Sequence, residues 1–447
     1  MALPGMVAAA WAFLAGGALA AILFGTPVDI SHYNVQPADG IEYVESDIEV
    51  AGDGTVYAVW EDDRDAPGAS NNLYYTKSSD NGLTWPGSST AAYASPANLT
   101  DPSLAVFGAQ VYMAWVEGGD QIVQKVLAPP SAPFIVPSTT PVPLDEVYVP
   151  DLEADSSGRL HLVFDGVVAN LHHVYYTNNS LPGNNWLPPT IIYAASSAPG
   201  ASNPRLAINP ADDSLHVVLR DWDDSGGMRR SVEYISATNT GGTIQWHTPV
   251  AIATGTGSAA SVEQPDVAVD GDGVLHVVWS RISDRYAGYN ETYPMYAYST
   301  NGGSSWTIRT IDSDSNKVYG VTKLTPQYPW PRIATLPVTG TDAVYLVWEG
   351  DRKDRGYWEA QHVPVYEAVW LAVTSNRGSY WARRQLSRAA SNLAAVRPVV
   401  ATDPSSETVH IAWNEQGSGV GNPYRIYYVR GAPGSAGDVH LPIVLKN

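Results

Sequence analysis

A unit of four short β-strands recurs along this chain, and this repetition limits the possible folds more than any other feature. The second strand of each unit is an apolar run, followed by a variable loop and a tyrosine-rich third strand. A shorter strand precedes it across a tight turn such as that at residues 52–54. Seven units can be aligned in this way, or six if one is an embellishment of its neighbour. The second strands end at Trp60, Trp115, Phe164, Leu219, Trp279, Trp348 and Trp413.

The repeated unit predicts an all-β fold in which the units form a ring. A single four-stranded antiparallel sheet cannot bury both of its faces, so successive sheets pack around a common axis. We therefore predict a seven-bladed β-propeller with four-stranded antiparallel blades over residues 26–430. The last unit lacks a clear fourth strand, whereas residues 25–31 resemble the fourth strand at residues 247–253. Residues 26–32 are accordingly expected to complete the last blade and close the ring.

A second repeated motif follows several of the third strands. It reads S/T-x-D/N-x-G-x-x-W at residues 78–85, 299–306 and 374–381, with a degraded copy at residues 179–186. The acid or amide can hydrogen-bond its own turn, the glycine can take a positive φ, and the tryptophan supplies a large apolar surface. The residues assigned to this structural role are Ser78, Asp80, Gly82, Trp85, Gly183, Trp186, Asn301, Gly303, Trp306, Asn376, Gly378 and Trp381.

These motifs resemble the Asp-box, or BNR, repeat, and residues 26–430 resemble the sialidase-like β-propeller superfamily. The resemblance implies that each motif is the hairpin between the third and fourth strands of a blade. Sialidases hold the substrate carboxylate with three arginines and use a Tyr/Glu pair and an aspartic acid in catalysis. If the chain is such a glycosidase, the catalytic candidates are Arg205, Arg332, Asp47, Asp151, Asp266 and Tyr424, with Arg64, Arg281 or Arg352 as a third arginine and Tyr328 as a second tyrosine.

Two features of the sequence favour a non-enzymatic role over a sialidase. No F-R-I-P-type motif opens the first blade, where Ser46-Asp47-Ile48 stands instead. The arginines also alternate with aspartates at equivalent inner-strand positions, which favours mutual neutralisation around the mouth of a channel. Likeness of fold does not by itself carry an activity.

The N-terminal residues form a long stretch without charge. Residues 1–28 contain no ionisable side chain, and the first lysine or arginine of the chain is Arg64. The stretch predicts a hydrophobic helix over residues 1–25 that is buried among other helices or in lipid, in a way that generically resembles pilin-like subunits. A cleaved secretory signal is the alternative, with small residues at 18–20, although the basic region of such a signal is missing.

The composition narrows the classes of partner and cofactor. A net charge of −20 over 447 residues argues against a nucleic-acid partner, and the lack of cysteine excludes disulfides and thiolate metal sites. No cofactor is expected; calcium is weakly indicated at residues 312–316, where Lys317 occupies the glycine position of a calcium loop. Residues 431–437 read as a flexible spacer before an apolar, strand-like tail that ends at residue 447.

Together these features predict a non-enzymatic structural protein at the cell surface or outside the cell. In the favoured hypothesis, many copies self-associate through their N-terminal helices into a pilus-like filament and display the propeller. Burial of apolar helix surface from water would drive that assembly. A first alternative is a membrane-anchored or secreted propeller that binds a glycan ligand. A second alternative is an exo-sialidase or another glycoside hydrolase.

Overall fold

A computed structural model shows the chain as β-strands joined by turns. Among the residues that it describes there is no helix, and hence none that could cross a membrane. The described residues are 22–32, 44–65, 70–136, 144–180, 185–223, 229–256, 260–286, 289–311, 318–320, 330–338, 341–351, 367–387, 394–416 and 424–433.

The helix predicted over residues 1–25 is wrong in its described part. Ile22–Phe24 is a β-strand that pairs antiparallel with Gly431–Pro433, and Phe24 is buried in the same apolar cluster as Val409. An apolar run does not by itself distinguish helix from strand, and here an open sheet edge supplies the hydrogen bonds that favour a strand. Residues 1–21 lie outside the described part of the chain. The filament hypothesis, which needs self-association through a helix, therefore finds no support in the described residues.

In the described part of the chain, the strands form seven antiparallel units built on four main strands each, which we call blades 1 to 7 in chain order. Blades 3 and 4 are joined by a single parallel contact between His172 and Gly200. The inner strands are Ser46–Val50, Leu99–Phe107, Glu146–Ala154, Pro199–Ile208, Ala260–Val269, Arg332–Val338 and Ala395–Asp403. The second strands are Val56–Asp62, Gln110–Glu117, Leu160–Val168, Leu215–Asp223, Leu275–Tyr286, Thr341–Asp351 and Thr408–Gln416.

The third and outer strands complete each blade. The third strands are Asn72–Ser78, Gln121–Ala128, Leu171–Ser180, Arg229–Thr240, Tyr289–Ser299, Glu367–Thr374 and Tyr424–Pro433. The outer strands of blades 1 to 6 are Thr90–Tyr93, Phe134–Val136, Thr190–Tyr193, Val250–Thr256, Thr307–Thr310 and Ala382–Gln385. Short additional strands pair with the third strands of blades 3, 4 and 5, and they are Asn185–Trp186, Thr243–Trp246 and Val318–Gly320.

The blades close into a ring. Each inner strand contacts the inner strand of the next blade, and that of blade 7 contacts that of blade 1. The outer edge of blade 7 is filled from the other end of the chain, because Val28–Asp29 pairs with Tyr427 and Tyr428 on its third strand. This circular arrangement of four-stranded sheets is a β-propeller.

Each blade is apolar on both faces because it lies between two neighbours. The second strands are the most deeply buried, and the tryptophans at their ends are at most 1% exposed in blades 1, 2, 5, 6 and 7. Full burial of a large apolar side chain contributes about 1.5–3 kcal/mol. The aromatic ends of the repeated sequence pattern thus contribute to the core between blades, as Trp348 of blade 6 does in a cluster with Val278 and Tyr296 of blade 5.

The S/T-x-D/N-x-G-x-x-W motifs form tight turns after the third strands of blades 1, 5 and 6. In the first, Ser78 Oγ accepts the Gly82 N–H and Asp80 Oδ1 accepts the Thr84 N–H, each at 2.9 Å. Gly82 has a φ of 77°, and a Cβ atom there would lie 1.8 Å from the hydroxyl oxygen of Tyr428. The equivalent turn contacts involve Ser299, Asn301 and Gly303, and Thr374, Asn376 and Gly378.

A histidine, a tyrosine and a tryptophan join neighbouring blades near these turns. His410 Nδ1 lies 2.7 Å from the Tyr428 hydroxyl, and Trp85 of blade 1 packs edge-on against Tyr428 with ring centroids 4.7 Å apart. In the degraded copy Trp186 is buried, and Gly183 lies outside the described residues. The equivalent sets are His161, Tyr176 and Trp246; His216, Tyr234 and Trp306; and His276, Tyr296 and Trp381.

Candidate functional site

The antiparallel connections place different loops at the two ends of the ring. Every inner strand begins, and every second strand ends, at one end, which we call the mouth face. The motif turns and the turns between inner and second strands lie at the opposite end, which we call the turn face. Loops that connect rigid strands are the usual positions of binding residues, and the variable loops after the second strands open on the mouth face.

Seven residues at equivalent positions form a ring on the mouth face, each two residues before the inner-strand position that lines the axis. Five of them combine a positive φ of 47° to 54° with a following proline and a shift in strand register. A positive φ is uncommon outside glycine, costs of order 1–3 kcal/mol, and is concentrated at functional sites. This mouth ring comprises Asp101, Val149, Asn203, Gln264 and Arg397, which have the positive φ, and Glu45 and Trp330.

Glutamates at the ends of second strands hold two of the strained backbone positions. Glu61 Oε1 accepts the Asp101 N–H at 2.7 Å, and Glu349 Oε1 accepts the Arg397 N–H at 2.5 Å. Burial raises the pKa of the Glu349 carboxyl to about 7. The two glutamates each belong to the blade before the residue that they hold, so contacts between blades fix the conformation of the ring.

Side-chain contacts also link members of the mouth ring. The Arg397 guanidinium lies 3.3 Å from the centre of the Trp330 ring and pairs with Glu45 at 2.5 Å. On the other side of the ring, Asn203 Nδ2 donates to Gln264 Oε1 at 3.1 Å. The mouth ring therefore has its ionisable members on blades 7, 1 and 2, with Trp330 of blade 6 beside Arg397, and an uncharged amide part on blades 4 and 5.

The charged residues proposed from the sequence lie together along an axial cavity of about 130 Å³ below the mouth ring. Asp47, Asp151 and Asp266 each accept an N–H from the inner strand of the next blade, at 2.7, 2.6 and 3.0 Å respectively. Arg205 pairs with Asp151 at 3.0 Å, and Arg332 also lines the cavity. These contacts give the aspartates a role in joining the blades, and a catalytic role for them stays a prediction.

The axial cavity holds more carboxyl groups than arginines. Glu49 and Glu153 lie deeper than the three aspartates, two residues further along their inner strands. Burial, and then the charge of Asp47, raises the pKa of Glu49 to about 8; burial and the charge of Glu49 raise that of Glu153 well above its usual value. Burial lowers the pKa of Arg332 to about 10. Burial in the axial cavity therefore favours the neutral form of these two glutamates.

The other residues proposed from the sequence do not join this cavity in the described structure. Tyr424 begins the third strand of blade 7, is buried, and is not among the cavity-lining residues. Arg64 pairs with Asp62 and lies 3.8 Å from the centre of the Tyr74 ring, and Arg281 is exposed. The candidates that fall outside the described residues are Tyr328, Arg352 and the weak calcium stretch at 312–316.

Blade 3 carries a histidine–carboxylate pair on the mouth face that sequence reasoning missed. His172 Nδ1 lies 2.8 Å from Oδ1 and 3.0 Å from Oδ2 of Asp165. The hydrogen bond to Asp165 raises the pKa of His172 above its usual value. The His172 side chain is 29% exposed, and its Nε2 atom has no hydrogen-bond partner among the described residues. With Nδ1 protonated toward the carboxylate, Nε2 is the free proton acceptor.

Tyr148 lies beside this pair. The Tyr148 ring stacks on the imidazole of His172 with centroids 5.9 Å apart, and its hydroxyl hydrogen-bonds Glu146. That hydrogen bond raises the pKa of Tyr148 to about 12. In the mouth ring, burial, together with the charge of Glu45, raises the pKa of Asp101 to about 6.

Arg220 completes the group from blade 4. Its Nε donates to Ser202 Oγ at 3.0 Å and its Nη1 pairs with Glu263. Burial raises the pKa of Asp165, and the positive charge of Arg220 opposes this effect and also disfavours protonation of His172. We call the following residues the mouth cluster: Tyr148, Asp165, His172 and Arg220.

One signal for His172 was present in the sequence. The four histidines explained by packing stand in second strands, whereas His172 stands at the start of a third strand and so departs from the repeat. Its partner Asp165 lies across the hairpin, at the end of the second strand of the same blade. Because the pairing depends on strand register, composition and spacing did not show it.

Comparison with known proteins gives a fold and no family. No protein-family model and no curated protein matches the chain. The polysaccharide lyase Uly1 has a similar structure, with a TM-score of 0.56 and 10% identity over 92% of this chain and 99% of Uly1. An α-L-arabinanase from Penicillium chrysogenum, complexed with arabinobiose, has a TM-score of 0.50 and 15% identity over 91% of this chain and 98% of the arabinanase. A Trypanosoma rangeli sialidase has a TM-score of 0.45 and 13% identity, and the chain spans 60% of that protein.

These likenesses show a propeller fold that glycan-active proteins also have. The similarity to the first two neighbours extends over almost their whole length. The Asp-box family and the pilin-like helix are not shown by any of the comparisons.

Proposed function

We propose that this protein cleaves a polysaccharide on its mouth face by acid–base catalysis. The observation that carries the proposal is the pair of His172 and Asp165, because it leaves an oriented imidazole nitrogen available beside the axial mouth. Histidine is the side chain most often used to transfer protons near neutral pH. The propeller fold shared with a lyase and an arabinanase supports a glycan as the substrate class.

Three members of the mouth cluster have separate roles in the proposed reaction. In a hydrolysis, His172 Nε2 accepts a proton from the water that attacks the sugar carbon; in an elimination, it accepts the proton of the ring carbon next to a carboxylate. In both cases the bond to the glycosidic oxygen breaks, and that oxygen takes up a proton from solvent water. Asp165 acts as a positioning residue because it contacts only the far side of the imidazole. Tyr148 packs against the imidazole and limits its rotation.

The test is cleavage of a small panel of probes: linear arabinan, polygalacturonate and a fluorogenic sialoside. We expect the wild-type protein to release new chain ends from one of them. His172→Ala should lower kcat by about 100-fold or more, which is the usual contribution of a positioned acid or base. His247→Ala is the matched control, because His247 is exposed and contacts Ser236 away from the mouth cluster.

The products distinguish the reaction type. New reducing ends without a double bond indicate hydrolysis, whereas ultraviolet absorbance from an unsaturated sugar indicates elimination. Equal activity of His172→Ala and wild type would overturn the role of His172. Binding of the probes without cleavage would overturn catalysis and leave the glycan-binding alternative. An extracellular location accompanies the proposal, because polysaccharides of this size are found outside cells.

A further inference from the structure

We propose that Asn203 and Gln264 form a specificity pair that recognises two adjacent hydroxyl groups of a sugar residue bound next to His172. The inference rests on the proposed function and identifies the part of the substrate that the mouth ring contacts. Both residues have a positive φ, of 53° and 51°, and both precede a proline at the start of an inner strand. They belong to neighbouring blades 4 and 5.

The pair is locked together and still has unused hydrogen-bonding groups. Asn203 Nδ2 donates to Gln264 Oε1 at 3.1 Å, which fixes the orientation of both amides. Among the described residues, the Gln264 Nε2 donors and the Asn203 Oδ1 acceptor have no other partner. Gln264 is 8% exposed, and its amide nitrogen is not among the fully enclosed polar atoms, so part of it remains exposed to solvent.

One free acceptor beside free donors matches two neighbouring sugar hydroxyls. A hydroxyl can donate to Asn203 Oδ1 while the next one accepts from Gln264 Nε2. Because the hydrogen bond between the amides already fixes their rotamers, binding loses less conformational freedom than it would with two mobile side chains. A strained backbone at both positions holds the amides at the mouth.

The charged groups next to Gln264 are paired with one another. Gln264 follows Glu263, which is 1% exposed and pairs with Arg230 at 2.9 Å and also with Arg220. Because Glu263 holds these two guanidinium groups, we expect the amide pair to bind hydroxyl groups through the hydrogen-bonding groups that it leaves unused.

The pair is close enough to His172 to contact the same sugar chain. His172 pairs with Gly200 across the boundary of blades 3 and 4, and a Cβ atom on Gly200 would lie 2.4 Å from the His172 carbonyl oxygen. Asn203 lies three residues further along the same strand, which corresponds to about 10 Å in extended backbone. The next residue toward Gly200, Ser202, contacts Arg220 of the mouth cluster.

The test compares Gln264→Glu and Asn203→Ala with the matched control Gln245→Glu, on whichever panel probe the wild-type protein cleaves. Gln264→Glu replaces the amide donor with an acceptor of the same shape. We expect it to raise KM by roughly tenfold, with kcat changed much less, because a sugar hydroxyl is left unpaired. Gln245 is exposed on the Thr243–Trp246 strand, so Gln245→Glu changes the charge equally and should leave KM unchanged.

A deoxygenated probe adds a readout that a purely structural role would not change. An oligosaccharide of the cleaved probe that lacks one of the two hydroxyls should bind the wild-type protein about tenfold more weakly, and Asn203→Ala or Gln264→Glu should discriminate less between the two oligosaccharides. Wild-type turnover with the same KM in Gln264→Glu and in the control would overturn the specificity pair alone. A wild-type protein inactive on the whole panel would overturn the proposed function, and this inference with it.

Discussion

The turn face and the mouth face are built from the same repeated strands, but they differ in how their polar groups are used. On the turn face, four histidine–tyrosine pairs recur with the same 2.7 Å hydrogen bond. Equivalent positions on the mouth face instead carry seven residues that range from glutamate to valine and tryptophan. The same side chains therefore recur on the turn face, where each pair of blades packs in the same way. They differ from blade to blade on the mouth face, where the proposed site lies.

The pKa values follow the same division. On the turn face, burial lowers the pKa of His216 to about 4 and that of His410 to about 3, so both are neutral at physiological pH. On the mouth face and in the axial cavity, burial raises the carboxyl pKa values of Asp101, Glu349 and Glu49 to about 6, 7 and 8. Groups that titrate near neutral pH are typical of sites that transfer protons.

The largest effect on stability is expected from Gly82→Ala on the turn face. The added Cβ would meet the Tyr428 hydroxyl at 1.8 Å, and the φ of 77° is unfavourable for alanine, so we expect a loss of about 3 kcal/mol or more. Gly54→Ala is the control, because Gly54 has a similar φ of 79° and nothing within 4 Å of the added atom.

Gly54→Ala should cost only about 1 kcal/mol, from backbone strain alone. Chemical denaturation of both variants measures the difference. Equal losses in the two variants would show that the turn does not pack against Tyr428, and the distinction between packed turns and free turns would fail.

We expect an intermediate effect on stability from substitution of two buried carboxyl groups, Glu49 in the axial cavity and Asp270 on the turn face. The two effects should depend on pH in opposite directions. The raised pKa of Glu49 means that the folded state holds its proton more tightly than the unfolded state. Its contribution to stability is therefore present below pH 4.5 and is lost as the pH rises to about 8. The charged groups that face Glu49 in the cavity are Asp47, Asp151, Glu153, Asp266, Arg205 and Arg332.

Glu49→Gln should accordingly be more stable than wild type above pH 8, by about 1 kcal/mol or more, and similar to it near pH 4. At Asp270 on the turn face, burial is outweighed by hydrogen bonds from His276 and the Val274 amide, which lower the pKa. Asp270→Asn should be less stable than wild type at neutral pH, and the difference should disappear in acid. Denaturation midpoints across pH test both, and parallel pH curves for the two variants would contradict this contrast.

The smallest effect is expected from Val149→Gly in the mouth ring. A β-branched residue at a φ of 47° is strained, and glycine relieves that strain while adding freedom to the unfolded chain. We expect a net gain of about 1 kcal/mol, in contrast to the loss from Gly82→Ala. A thermal melt measures it, and a loss of stability would show that the valine side chain contributes more packing than its backbone costs.

The repeated strands could be predicted from the sequence because the residue pattern that specifies each strand lies within that strand and its adjoining turns. The apolar second strands and the turn glycines follow a fixed pattern, and the inner strands begin where the repeat places them. The N-terminal prediction was wrong because an apolar run such as Ile22–Phe24 can form a helix or a strand, and here an unpaired strand edge is available to pair with it. That partner, the edge strand Tyr424–Pro433, is about as distant in the sequence as the chain allows.

The candidate site was predictable only in part, because it depends on contacts across strands and between blades. The sequence placed Asp47, Asp151 and Asp266 along the axis, but their carboxylates accept backbone N–H groups of the next blade, which residue identity alone does not show. The residues before the prolines were visible as a repeat, yet the sign of φ at Gln264 was not. His172 becomes notable only when strand register brings Asp165 within 2.8 Å.

Completion of blade 7 by Val28–Asp29 and Ile22–Phe24 has a consequence for biosynthesis. These segments emerge from the ribosome long before their partner, Tyr424–Pro433, which is among the last described residues to be made. Until then the nascent ring stays open, with unpaired strand edges that can join other chains. Prompt release and chaperone protection at that stage should therefore govern the yield of soluble protein, and chains terminated before residue 424 should aggregate.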